Sequence, residues 1–426
     1  MEQRIQSFTQ FLDRSYSVYH CIAQLTAVLE EAGYAKLPVN APWALVPGGK
    51  YYTTRNESAL VAFRIPTQAP TGFLMSASHS DIPGFKLRDN WELTGTYTRA
   101  STEKYGGPLM ATWLDRPLSV AGRVLVKTPE GVQSRLVDLD RDLLLIPNVA
   151  IHMQRNANEG IAINPAVDTL PVIGGPDAAG KLASLLEEAA GGQILSHDLY
   201  LYIRQKASVW GIDEEYISAQ GLDDRQCAWC CTQGFLQAAP CQAIPVLCVF
   251  DNEEIGSATM QGADSTLLES VLTQICHSLQ LELPTMLSQS FMVSADNAHA
   301  VHPNHPEFSD PNHAPKIGEG AAVKFNASKY STDGASAAVF RSICQKAGAP
   351  LQTYCNRADL AGGSTLGNIS LAHVSVPTVD LGLPQLAMHS SYETAGVKDV
   401  LSFTEAMAAY YGTTLIHSAD GSYTVK

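Results

Sequence analysis

Apolar positions near the N-terminus recur at helical spacing from about Ile5 to Ala32, with Phe8, Phe11 and Leu12 followed by Ile22, Leu25, Val28 and Leu29. Gly33 follows where such a helical segment stops. The pattern then changes. PGGKYYTTRN (Pro47 to Asn56) reads as a turn leading into extended chain, and Leu60 to Ile65 and Gly72 to Ala77 are apolar runs of strand length. From Asn90 to about Gly221 the chain is β-rich. There WELTGTYTR alternates, RVLVKTPEGVQSRLVDL has a hairpin pattern around Pro129-Glu130-Gly131, and LYLYIRQKASVW is a further strand candidate. One helical stretch interrupts it, near Gly180 to Ala190. Beyond it, helix and strand patterns alternate to the C-terminus, as in a sheet covered by helices. These patterns predict an α/β fold, a mixed sheet flanked by helices over residues 1–90 and 221–426, interrupted by an inserted β-rich domain over 91–220.

The composition narrows the function classes. Hydrophobic residues make up 45% and charged residues 16% of the 426, which suits a globular protein with a large core. The net charge of −14, with no basic stretch, argues against a nucleic-acid partner. Nine cysteines scattered from Cys21 to Cys355 do not form a disulfide framework. No run of ~20 apolar residues spans a membrane, and MEQRIQSFTQFL lacks a basic segment followed by an apolar run. The expectation is a soluble, cytoplasmic protein with no membrane partner.

Four strand-like runs each end in residues that bind metals. GFLMSA is followed by Ser78-His79-Ser80-Asp81, and AIPVLCVF by Asp251-Asn252-Glu253-Glu254. SFMVSA is followed by Asp296-Asn297-Ala298-His299, and VPTVDLGL leads through Pro384 to Met388-His389. Ligands of open α/β sheets bind beyond the carboxyl ends of strands, which would bring these clusters into one crevice. Any one cluster alone reads more simply as a cap or a solvated helix start. Imidazole and carboxylate ligands suit zinc. A pair of metals ~3.5–4 Å apart needs a bridging acid, further ligands and a base that is not itself a ligand. Two neighbouring glutamates supply the last two roles.

At these residues the chain resembles the aspartyl aminopeptidases, zinc-peptidase-like exopeptidases with two cocatalytic zinc ions. The resemblance covers nearly the whole length. It runs through PGGKYYTTRN, His79-x-Asp81-x-Pro83, TWLDRPLSVAGRV (Thr112 to Val124), IPNVAIHMQRN (Ile146 to Asn156), Leu222-Asp223 and DNEEIGS (Asp251 to Ser257). ADNAHAVHPN, Gly363-Ser364-Thr365-Leu366-Gly367 and LGLPQLAMHS (Leu381 to Ser390) complete it. The resemblance implies two divalent ions per chain, zinc by family. Asp223 then bridges them, His79 and Asp296 complete one, and Glu254 and His389 the other. Glu253 becomes the general base, and Asp81 the acid that orients His79. Lys324 aligns with a lysine that meets an acidic side chain on the first residue of a peptide with a free N-terminus. His152 and the Asp115 segment fall in the inserted domain, which mediates dimerisation in the family, whose particle is a dodecamer built from dimers. His152 and His299 are candidate substrate contacts, and His299 and His302 are also read as hydrogen-bonding supports of the Asp296 loop.

The chain departs from the family at Ser15-Tyr16-Ser17-Val18, where the family has Ser-Pro-Thr-Pro, and at Ser391-Tyr392 before Glu393, where an Ile-Arg pair is common. Cys227, Cys230 and Cys231 read as buried helix cysteines, because no second pair completes a zinc knuckle. Arg357 and Asp359 read as an ion pair, and Lys324 has the competing reading of a surface lysine. A related dizinc aminopeptidase or deacylase with neutral-residue preference, and a non-catalytic scaffold, are the alternative functions.

Overall fold

The computed structural model describes residues 2–360, 362, 363 and 365–426. Ser364 of the Gly363–Gly367 motif lies outside them. A nine-stranded mixed sheet forms the centre, and the four apolar runs singled out above are its middle strands. Ile244–Phe250, Phe73–His79, Phe291–Ala295 and Thr378–Gly382 lie side by side in that order, all parallel, so their carboxyl ends share one edge. Every residue of these four strands is buried, because both faces are covered. Along Ala59–Arg64, Leu60 and Ala62 enter one core while Ala59, Val61 and Phe63 enter the other, as a two-residue period requires. The first core holds the helices Leu222–Gln237 and Val397–Gly412, and the second holds Leu267–Leu279.

The N-terminal helical segment is two helices, Glu2–Arg14 and Val18–Glu31. Apolar periodicity runs through the break, but Ser17 takes extended dihedrals and its hydroxyl caps the second helix by accepting from the His20 amide. The residues that depart from the family pattern are thus the turn between two helices.

A separate six-stranded antiparallel sheet carries its own core, in which Leu182 and Leu186 of the helix Lys181–Ala190 cover one face. The hairpin Leu118–Thr128/Gly131–Asp138 turns through Pro129-Glu130, with Thr128 paired to Gly131. This sheet begins with Gly84–Leu93 and ends with Ile194–Ile203. LYLYIRQKASVW is correspondingly two strands, not one. Its second half, Ser208–Trp210, pairs with Tyr216–Ala219, which pairs with Glu393–Gly396 in another sheet. Composition cannot place these boundaries, because a strand that leaves one sheet and enters another keeps the same β character. No helix among the described residues is long and apolar enough to cross a membrane.

Candidate metal centre

The shared edge of the parallel strands carries the site. His79 is the last residue of its strand, and Asp296 follows Phe291–Ala295 directly. Glu253 and Glu254 open a short 3-10 turn after Ile244–Phe250. Asn252 starts that turn in the left-handed region, at φ 61°, which asparagine tolerates. Its amide oxygen accepts from Thr259 Oγ1 at 2.8 Å and Gln261 Nε2 at 2.9 Å, which holds the turn. Asp223 sits at the mouth of Leu222–Gln237 with non-helical dihedrals. Gly221 precedes it at φ +69°, where a Cβ would come within 2.8 Å of Ile82. His389 arrives from the other side, after the strand Pro384–Leu386.

These residues line one cavity of ≈170 Å³ with His299, Lys324, Tyr330 and Tyr354. The ligand atoms of His79, Asp223 and Asp296 all lie within 4.8 Å of one another, and so do those of Asp223, Glu254 and His389. Asp223 is common to both groups. His79, Glu253 and Glu254 form a third such group. His79 Nε2 is 3.7 Å from Asp223 Oδ1, while His389 Nε2 is 3.5 Å from both Asp223 Oδ2 and Glu254 Oε2. These are too long for good hydrogen bonds. They are close to the ~3.4 Å edge of a tetrahedron whose metal–ligand bonds are about 2.0–2.1 Å. Asp223 Oδ1 and Glu254 Oε1 are buried with no hydrogen-bond partner. Buried carboxylate oxygens normally have one, so the donor set fits divalent ions.

Both imidazoles are oriented for ligation. His79 Nδ1 faces the Asp81 carbonyl at 3.1 Å and Asp81 Oδ1 at 3.3 Å, and His389 Nδ1 faces the Gly107 carbonyl at 3.0 Å. With acceptors at Nδ1, the proton sits there and Nε2 points into the cavity. Asp81 also accepts from the Glu253 amide at 3.1 Å and the Glu254 amide at 3.2 Å.

The cavity is overloaded with carboxylates. Burial pushes Glu253 up to about 8, with Asp296, Asp81 and Asp223 adding to it against His79. Burial likewise raises Asp296 to about 6 despite the Lys324 ammonium, and lifts Glu254 well above its ordinary value. Asp223 lies below its ordinary value because His389 and His79 outweigh its burial. Lys324 is buried, not on the surface, with Nζ 3.8 Å from Asp296 Oδ2 and 5.5 Å from the Tyr330 ring centre.

Comparison with known proteins agrees with this geometry. The family described as "Aminopeptidase I zinc metalloprotease (M18)" matches residues 11–411. A Clostridium novyi protein named "Probable M18 family aminopeptidase 2" is 41% identical over 94% of this chain and 97% of its own. The chain belongs to the M18 family. It is a zinc metallo-aminopeptidase, a hydrolase acting on peptide bonds. Among solved structures, Ape4 in its complex with Nbr1 superposes with a TM-score of 0.92 at 32% identity, covering 96% of this chain and 85% of Ape4. The S. cerevisiae mApe1 dodecamer follows at 0.85 and 26%, covering 95% of each chain. The resemblance to the aspartyl aminopeptidases and the α/β zinc-peptidase fold are thereby borne out.

Some sequence expectations for the enzyme change. His299 and His302 do not hydrogen-bond to the Asp296 loop among the described residues. His299 lines the cavity edge-on to Tyr354, and His302 accepts from the Asn304 amide at 3.2 Å in its own loop. His152 lies exposed on a loop of the inserted block and does not line the cavity. Cys227, Cys230 and Cys231 are buried in Leu222–Gln237, and Arg357 pairs with Asp359 at 2.8 Å.

Two acids were missed. Asp224 Oδ2 accepts from the His79 amide at 3.1 Å, and Glu393 accepts from the amides of Asp223 at 3.0 Å and His389 at 2.7 Å. The available signal was adjacency, since Asp224 follows one candidate ligand and Glu393 sits four residues after another.

A pH dependence follows for the chelator-stripped enzyme. Glu253, Asp296 and Glu254 have folded values raised above their unfolded ones, so the folded state binds more protons above pH ~4. Their contribution to stability is complete below that pH and is lost as pH rises through the folded values, to about 8 for Glu253. The melting midpoint of stripped enzyme is expected to fall between pH 5.5 and 8, and added zinc to flatten the decline. A midpoint that is constant or rises over that window would contradict this electrostatic picture.

Proposed function

We propose that the enzyme removes N-terminal residues, preferentially Asp or Glu, from peptides by using two divalent ions per chain, both zinc. The observation that carries the two-ion reading is the sharing of Asp223 between two ligand triads. His79 and Asp296 would hold one ion and Glu254 and His389 the other, with Asp223 available to both. When bound, such a pair supplies Lewis acidity that polarises a peptide carbonyl and brings the pKa of water toward neutrality. Once His79 and Glu254 are committed in this way, Glu253 is left without a ligand role. Its amide is held by Asp81, and its carboxylate faces the cavity 3.9 Å from His79 Nε2. Glu253 takes the proton of the attacking water and delivers it to the leaving amine.

Lys324 supports the acidic preference. A carboxylate entering this buried, already acidic cavity is strongly disfavoured unless it meets a cation, and Lys324 is the ammonium among its described lining residues. As a point charge it tolerates both Asp and Glu. Its 3.8 Å approach to Asp296 favours a second reading, in which Lys324 only neutralises the ligand acids. A related dizinc aminopeptidase with neutral-residue preference would then result. His299, at the cavity rim beside Tyr354, is a further substrate contact. His152 is exposed outside this cavity.

The enzyme is proposed to form a homo-oligomer, a dodecamer built from dimers through the inserted sheet. Leu145, Val149, Ile151, Met153 and Val167 on that unit are exposed, and the related mApe1 was solved as a dodecamer. All nine cysteines are unpaired, which supports a reducing compartment, the cytoplasm.

Three outcomes test these proposals. Glu253→Gln keeps its metal but lowers kcat by ~10²–10⁴, whereas Glu254→Gln loses metal; reversed phenotypes would exchange the two roles. Lys324→Met reduces kcat/KM for Asp- and Glu-starting substrates at least about tenfold relative to Leu, roughly 1.4 kcal/mol of transition-state binding. An equal loss on all substrates would favour the neutralising reading. Sedimentation is expected to give a large closed particle, and a stable, active monomer would refute it.

A further inference from the structure

The chain enters the inserted sheet directly from the metal edge, since Gly84–Leu93 begins shortly after His79 and Asp81. Thr98–Tyr105 returns antiparallel to it, with Tyr105 paired to Gly84. That register brings Tyr105 back to the centre. A one-residue slip would turn its ring to the opposite face. The Tyr105 hydroxyl lies 2.7 Å from Asp81 Oδ2 and accepts from Asn252 Nδ2 at 2.9 Å. An amide NH₂ can only donate, so the single phenolic proton is directed to Asp81. Asp81 is the acid that faces His79 Nδ1 and holds the amides of Glu253 and Glu254.

The residues after Tyr105 reach the opposite side of the centre. Gly106 takes φ +65°, and a Cβ there would stand 3.1 Å from Glu254 Cβ. The Gly107 carbonyl accepts from His389 Nδ1 at 3.0 Å, and the Leu109 amide donates to the His389 carbonyl at 2.9 Å. Thr112 continues the contact, its hydroxyl accepting from the Ser391 amide at 2.9 Å and its carbonyl from Ser391 Oγ at 2.6 Å. One short segment of the inserted unit thus touches the groups that orient both imidazoles.

We propose that Tyr105–Gly107 is a positioning element of the metal centre, supplied by the inserted sheet: the Tyr105 phenol fixes Asp81 and through it His79, and the Gly107 carbonyl fixes His389. The inserted unit therefore sets metal affinity as well as carrying the surface proposed for assembly. Groups of this kind, hydrogen-bonded behind a ligating imidazole, typically change metal affinity about 10–100-fold when removed. The inference rests on the two-ion reading above.

Tyr105→Phe removes one hydroxyl and keeps the ring. Tyr200→Phe is the matched control, because Tyr200 packs edge-on to Tyr105 at 5.6 Å but its hydroxyl makes no hydrogen bond among the described residues. Zinc affinity is measured by competition with a chromophoric chelator, alongside the melting midpoint of the stripped proteins. Tyr105→Phe is expected to weaken at least one zinc-binding step tenfold or more, while its stripped form melts with that of Tyr200→Phe. A smaller loss, or an equal loss in Tyr200→Phe, would overturn the proposal. If the wild-type enzyme itself fails to take up two ions, the two-ion reading fails first, which separates the two outcomes.

Discussion

Asp223, Glu253, Glu254 and Asp296 share one small, largely buried cavity in which Lys324 is the matching ammonium. Removal from water is the first cost of ionising these acids, and two like charges about 4 Å apart add a repulsion of about 4 kcal/mol at an effective dielectric of ~20. The upward displacement of Glu253, Glu254 and Asp296 records the result, because the cluster cannot ionise fully by itself. Divalent cations, bound as proposed, would relieve the repulsion and satisfy the buried, partnerless oxygens of Asp223 and Glu254 in one step.

The rest of the fold holds that arrangement together. Parallel strands buried on both faces bring His79, Asp296 and the Glu253-Glu254 turn to one edge, each within a few residues of a rigid strand end. Asp223 and His389 approach from outside the sheet, and their backbones are tied by the one buried carboxylate of Glu393. Asp81 does the same for His79 and the glutamate pair. The candidate ligands His79, Asp223, Glu254 and His389 are thus each held by a further group, and the tolerance for their misplacement is correspondingly small.

The central strands were legible because double-sided burial makes them predominantly apolar runs. The candidate ligands stood out because acids and imidazoles directly after such runs are chemically conspicuous. What escaped has physical reasons. Gly107 acts through its carbonyl, which every residue possesses, and Tyr105 looks like any aromatic residue in a strand. Glu393 lies in a short strand of a small sheet, where nothing local distinguishes a structural carboxylate from a solvated one. The break at Ser15–Ser17 was readable in principle from the serine cap, but apolar periodicity carried straight across it. Which sheet a strand joins depends on pairing between distant segments, which leaves little local trace.

Anomalous diffraction at the zinc edge, from crystals of the zinc-loaded enzyme, tests the shared-carboxylate centre most directly. Two peaks per chain about 3.5–4 Å apart, one between His79 and Asp296 and the other between Glu254 and His389, with Asp223 touching both, are the expected result. A single peak, or a peak ligated by Glu253 with Asp223 left unligated, would contradict it.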